Sequence, residues 1–132
     1  EILIAPIKEK EILEFKVKKT NIDFPVKMRF NVSKSDFISP NINIASFDYN
    51  KLVFPLSIRK WKSGDKFIPL GMKNFKKLSD FFIDEKYSIL DKENQWILCS
   101  QENIIWIIGR RIDERYKIDS KTKKVYLAEL LI

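Results

Sequence analysis

Apolar residues in this chain come in short runs and in alternation, never in long stretches, and that pattern restricts it to a fold built mainly of strands. Trp96 to Cys99 and Ile104 to Ile108 are apolar runs of strand length. Ile112 to Ile118 and Val125 to Leu130 lean the same way, with turn-like or charged breaks between them. In the N-terminal half, EILEFKVK at 11–18 sets Leu13, Phe15 and Val17 against Glu14, Lys16 and Lys18, as a half-buried strand requires. Val26, Met28 and Phe30 alternate with Lys27 and Arg29 in the same way, and Leu52, Phe54, Leu56 and Ile58 line one face of a further strand. Pro55 gives that strand an edge position or a bulge. One segment breaks the pattern. From Asn74 to Lys86, Leu78, Phe81 and Phe82 follow helical spacing with Asp80, Asp84 and Glu85 elsewhere, which predicts an amphipathic helix. The expected class is α+β: a largely antiparallel sheet or small sandwich carrying one main helix over about residues 74–86.

The polar stretch from Asn31 to Asn43 reads as a connection, so the expected organisation is an N-terminal β subdomain or lead-in over 1–40 and a main domain over 41–132. The 132 residues suit one compact core. No apolar run approaches the roughly 18 residues needed to cross a bilayer, and the chain opens without a basic, apolar leader, so a soluble protein in a cytoplasmic setting, with no membrane partner, is expected. Cys99, the single cysteine, lies in an apolar run and reads as a small buried hydrophobe.

Several chemistries are disfavoured at once. There is no histidine, which removes the commonest metal ligand and the usual neutral-pH proton shuttle, and one cysteine cannot build a thiolate cluster. The three glycines, Gly64, Gly71 and Gly109, form neither a Walker-type loop nor a GxGxxG turn. No catalytic or metal-ligating residue and no cofactor is assigned within these residues.

Charge is segregated. Against a net +7, the window from Arg59 to Lys77 holds seven bases and one acid, and that from Gly109 to Lys124 seven bases and three acids, so the remainder is net negative. Clustered cations are what a phosphate-binding surface needs, because each neutralised phosphate releases condensed counterions. Lys73, Lys76 and Lys77 stand at the expected helix start, where the dipole disfavours cations unless an anion binds there. Ser63-Gly64-Asp65 and Pro69-Leu70-Gly71-Met72 are turn sequences that fold the chain back twice before that helix. Among the aromatics, Trp106 amid isoleucines belongs to a core, whereas Trp61 and Phe75, flanked by lysines, are expected at the surface, where aromatics interleaved with bases can stack on unpaired nucleotides.

The string IRKWKSGDKFIPLGMKNFKKLSDFFIDEK, followed by IIWIIGRRIDERYKI and KTKK, resembles the C-terminal domain of bacterial tRNA(Ile)-lysidine synthetase over roughly the last 80 residues. The matching positions include Gly64, Asp65, Pro69, Leu70, Gly71, Met72, the DFFID of 80–84, Trp106, Gly109, Arg111, Ile112 and Asp113. The chain departs from the family pattern after this helix, where Ser88 and ILDKENQ stand in place of a following Pro and Arg.

The resemblance implies a tRNA-recognising part of an enzyme that joins lysine to the wobble cytidine of an isoleucine tRNA with a CAU anticodon. ATP and magnesium would serve the parent's separate PP-loop domain, whose SGGxDS signature these residues lack. The parent could be a homodimer. The tRNA body, notably the acceptor-stem region, would be gripped through phosphates by Lys73, Lys76 and Lys77, with Arg59, Lys60, Lys62 and Lys66 on the adjacent strand and turn. Arg110, Arg111 and Arg115 would form a second contact group. Asp65, Asp80, Asp84 and Asp113, each near several bases, read as ion-pair partners. Two rival readings are a self-contained enzyme using those carboxylates, and a protein-interaction or dimerisation module of a larger RNA-processing enzyme.

Overall fold

The structure is a computed structural model, and it describes residues 14–17, 21–34 and 38–132. Strands dominate: β1 (Glu14–Val17), β2 (Met28–Ser33), β3 (Ile44–Asp48), β4 (Leu56–Lys60), β5 (Lys66–Phe67) and β6 (Lys76–Lys77) precede two short helices. These are α1 (Leu78–Asp84) and α2 (Ile89–Glu93), and β7 (Trp96–Ser100), β8 (Asn103–Ile107), β9 (Arg111–Ile112) and β10 (Val125–Leu130) follow. All described pairings are antiparallel. One sheet runs β1-β4-β7-β8-β9, a second runs β2-β10-β3, and β5 pairs with β6 as a small ribbon. The α+β class with one main helix is the observed one.

The apolar pattern explains the layering. Leu56 and Ile58 of β4, Leu98 of β7 and Trp106 of β8 share one core with Met28 and Phe30 of β2, Phe47 of β3, and Tyr126 and Ala128 of β10, so the two larger sheets pack face to face. On the opposite face of the five-stranded sheet, Ile97, Cys99, Ile104 and Ile107 meet Phe67 and the α1 residues Leu78, Phe81 and Phe82. The central strands β7 and β8 are thus covered on both sides. That is why they read as unbroken apolar runs while β1 and β2, with one exposed face, alternate. A register shift between Leu98 and Cys99 lets the β7–β8 pair serve both cores. Each fully buried side chain of the Leu78, Phe81 and Phe82 stripe contributes about 1.5–3 kcal/mol, which docks a helix too short to persist alone.

Four sequence expectations change. The helix spans Leu78–Asp84, not 74–86: Lys76 and Lys77 form β6 opposite Phe67 and Lys66, and Lys77 is only the helix's N-cap, so the dipole argument for three misplaced lysines lapses. A second helix, α2, which the one-helix expectation did not include, occupies the segment where the chain departs from the family pattern; Ser88 and Asp91 close a capping box, the signal in SILD that announces it. Strand β4 begins at Leu56, after the cis Phe54-Pro55 bond, and is flanked by β1 and β7, so Pro55 marks neither an edge nor a bulge but the entry to an interior strand. The run Ile112 to Ile118 yields one strand residue, Ile112 at the end of the two-residue β9, and then a 3₁₀ turn at Glu114–Tyr116.

Strand β2 pairs along its whole length with β10, and β1 pairs with β4, so the described residues before 41 belong to the same two sheets as the rest. Part of the 11–18 alternation lies outside the described residues; within them Val17 is buried and Glu14 and Lys16 are exposed, as read.

Candidate nucleic-acid interface

The first basic window is shaped by an ion pair inside the fold. Alternation along β4 turns Arg59 to the face opposite Leu56 and Ile58, where its guanidinium donates to both oxygens of Asp65 at 2.9 and 3.0 Å. Both residues are buried. The same carboxylate accepts the Lys62 backbone N–H at 2.7 Å and the Lys62 ammonium at 3.0 Å. Gly64, at φ +92, completes the turn. The Asp65 carbonyl then accepts the N–H of Leu78 at 2.9 Å, tying the turn to the first residue of α1. Burial alone would raise the Asp65 carboxyl, but the hydrogen bonds from Arg59 and Lys62 outweigh it and hold the acid below its ordinary value. Arg59, predicted as a phosphate contact, is thus placed as a structural pin whose charge is buried and paired with Asp65.

A second carboxylate joins the two basic windows. Asp113 is fully buried and accepts the Ile68 N–H at 2.9 Å, the Arg115 N–H at 2.7 Å, and Arg115 Nε and Nη2 at 3.0 Å each. Around it, Leu70 N–H donates to the Ile112 carbonyl at 3.1 Å, Glu114 N–H to the Ile68 carbonyl at 2.7 Å, and Gly71 N–H to Glu114 Oε1 at 2.8 Å. Arg111 Nη2 donates to the Leu70 carbonyl at 2.6 Å. The Pro-Leu-Gly-Met loop is thus stitched to the Arg-Arg-Ile-Asp-Glu-Arg segment. Where the windows meet, the half-exposed ring of Phe75 has Lys66 Nζ 4.7 Å and Arg115 Cζ 5.0 Å from its centroid.

The remaining predicted residues divide by how free their charge is. Lys73 and Lys77 are exposed and pair with nothing among the described residues. Lys66 is exposed beyond its Phe75 contact, and Arg110 is exposed, lying 4.8 Å from the Tyr87 ring centroid. Lys62 is bonded to Asp65, Lys76 to Asp84, and Lys60 to the Glu93 carbonyl while covering the Trp96 ring. Asp65, Asp84 and Asp113 are ion-pair partners, as read; Asp80 is simply exposed on α1. No group of three metal-ligating side chains gathers among the described residues, and Asp65, Asp84 and Asp113 are dispersed among separate ion pairs.

The aromatics follow the same sorting. Trp106 is buried and Phe75 half-exposed, as expected, but Trp61 packs edge-on against Phe82 and belongs to the α1 core. Sequence reasoning missed Phe75 as the junction of the two windows, since its two cationic neighbours lie far apart along the chain from one another.

Two packed antiparallel sheets, a docked short helix and a carboxylate-clamped loop flanked by cations define a small α+β module. Solved structures share this architecture. A crystal structure of a TILS C-terminal domain superposes with a TM-score of 0.77 at 16% identity, over 90% of this chain and 95% of that one. An N-terminal fragment of the phenylalanyl-tRNA synthetase β-subunit from Pyrococcus horikoshii gives 0.55 at 24% identity, over 64% of this chain and 27% of that one. The family model of the TilS substrate C-terminal domain matches residues 56–129, and the chain belongs to that family.

Curated relatives agree. The tRNA(Ile)-lysidine synthase of Parabacteroides distasonis is 49% identical over 110 residues, 81% of this chain and 25% of the relative. That of Bacteroides thetaiotaomicron is 48% identical over 87 residues, 66% and 20% respectively. This chain spans about a quarter of such relatives or less.

Proposed function

We propose that this chain is the tRNA-docking part of a tRNA(Ile)-lysidine synthase, holding the tRNA body through its backbone phosphates while a separate catalytic part of the longer protein joins lysine to the wobble cytidine. The observation that carries this reading is the junction of the two basic windows: the Asp113 clamp joins the Pro-Leu-Gly-Met loop to the Arg111–Arg115 segment, and Lys66 and Arg115 meet at the Phe75 ring. Lys66, Lys73, Lys77 and Arg110 supply mobile, solvent-facing charges, and Arg111 and Arg115 supply fixed ones. Lys60, Lys62 and Lys76 sit at the margins, each tied to an acceptor of the domain itself. Such contacts position an RNA without reading its sequence. The isoleucine tRNA with its CAU anticodon, ATP and magnesium, a homodimeric parent and a cytoplasmic setting belong to the same proposal.

Salt titration tests it. With four phosphates neutralised, log affinity for tRNA should fall against log salt with a slope of about −3.6. Reversing Lys66, Lys73 and Lys77 to Glu should abolish most of that slope while leaving the fold intact. Salt-insensitive binding, or equal affinity of the triple variant, refutes the docking reading. A second reading, a protein-contact module, draws on Ile83, Ile89 and Leu90, which are 71%, 74% and 65% exposed on α1 and α2. Salt-insensitive association with a protein partner and no RNA binding would favour it.

A further inference from the structure

Beside Phe75 lies a cleft of about 230 Å³ whose lining includes Lys62, Lys66, Asn103, Glu102 and Arg115. Phosphate docking alone gives no use for a half-exposed aromatic ring at this point, since a duplex backbone offers it nothing to stack on. We infer that Phe75 and this cleft receive one unpaired nucleotide adjoining the docked RNA duplex, the base stacking on the ring and its phosphate taken by Lys66. The inference rests on the docking reading above and adds a second, single-stranded element to what is recognised.

The two cations at the ring differ in a way that suits this task. Arg115 is held by bidentate hydrogen bonds to the buried Asp113, so it stays in place. Lys66 is exposed on the two-residue strand β5, with a flexible four-carbon stem and no ion-pair partner among the described residues. When a base arrives, the Lys66 ammonium can leave the ring for the incoming phosphate, and the ring exchanges a water-exposed cation for a π-face, the stronger stacking partner. Asn103 brings an amide able to donate and accept hydrogen bonds. Glu102 supplies a carboxylate acceptor for a base's amino group. The cleft thus offers a free cation for a phosphate at Lys66 and hydrogen-bonding groups for a base edge at Asn103 and Glu102.

The test uses the 132-residue chain and two hairpin RNAs with the same stem, one blunt and one carrying a four-nucleotide single-stranded extension, prepared in 3′ and 5′ forms. The wild-type chain should bind one extended form about tenfold more tightly than the blunt one. Phe75→Leu, which keeps an apolar side chain of similar reach and leaves the thermal melt in place, should reduce that ratio to about one; Phe75→Trp should preserve it and show quenching of the new indole on binding. Equal wild-type affinity for blunt and extended hairpins, or a ratio undiminished in Phe75→Leu, overturns this inference while leaving phosphate docking standing. Failure to bind any hairpin overturns the docking reading and this one with it.

Discussion

Replacing Asp113 by Ala should destabilise the domain more than any exposed-acid substitution, because four hydrogen bonds converge on one fully buried carboxylate. Alanine strands the main-chain donors of Ile68 and Arg115, at about 1–3 kcal/mol for each partly buried donor. The Arg115 guanidinium is about a third exposed and recovers water, so its share is small. The sum is about 3 kcal/mol. With an unfolding entropy of about 2.1 cal/mol/K per residue, a chain of 132 residues converts that to a fall of about 11 °C in Tm. Differential scanning calorimetry of Asp113→Ala beside Asp80→Ala, an exposed acid on α1, measures it; Asp80→Ala should move Tm by less than about 2 °C. Asp113→Asn keeps one acceptor oxygen and should fall between them. If Asp113→Ala and Asp80→Ala melt together, the clamp does not hold the Pro-Leu-Gly-Met loop and the account of how the two basic windows meet is wrong.

The Arg59–Asp65 pair gives a pH signature. Because the folded-state value of Asp65 is depressed, its contribution is complete above its unfolded value of about 3.9 and is lost as pH falls through the folded value. The Tm difference between wild type and Asp65→Asn should therefore stay constant from about pH 8 to 5 and shrink below about pH 4; a difference unchanged to pH 2.5 would contradict the pairing. Cys99 is buried, and desolvation, only partly opposed by Arg59, pushes its thiol up to about 11. A disulfide reagent at pH 8 should label it only under unfolding conditions, and prompt labelling of the native chain would place Cys99 at the surface.

What could be read from the sequence was the packing, and what could not was direction. The runs at Trp96 and Ile104 signalled strands because a sheet covered on both faces needs no polar positions, and Leu78, Phe81 and Phe82 signalled a helix because their spacing has one solution. The helix start was misplaced because Lys76 and Lys77 carry no apolar signal either way, and their pairing with Lys66 and Phe67 is a tertiary fact. Counting charge could not separate Arg59 from Lys60. The pleat of β4 sends one inward to Asp65 and leaves the other half-exposed against Trp96. Likewise the Asp113 clamp was legible only as an acid among bases, since nothing local links residue 113 to Ile68 and the glycine turn at 71.

Strand β10 lies between β2 and β3, although it is made long after both. On the ribosome, therefore, the two outer strands of that sheet must wait for their middle member, with Met28, Phe30 and Phe47 left without Tyr126 and Ala128 to cover them. At ordinary elongation rates of about 5–20 residues per second the interval lasts several seconds. The order in which this sheet is synthesised thus sets when it can close, since its middle strand is the latest of the three to be made.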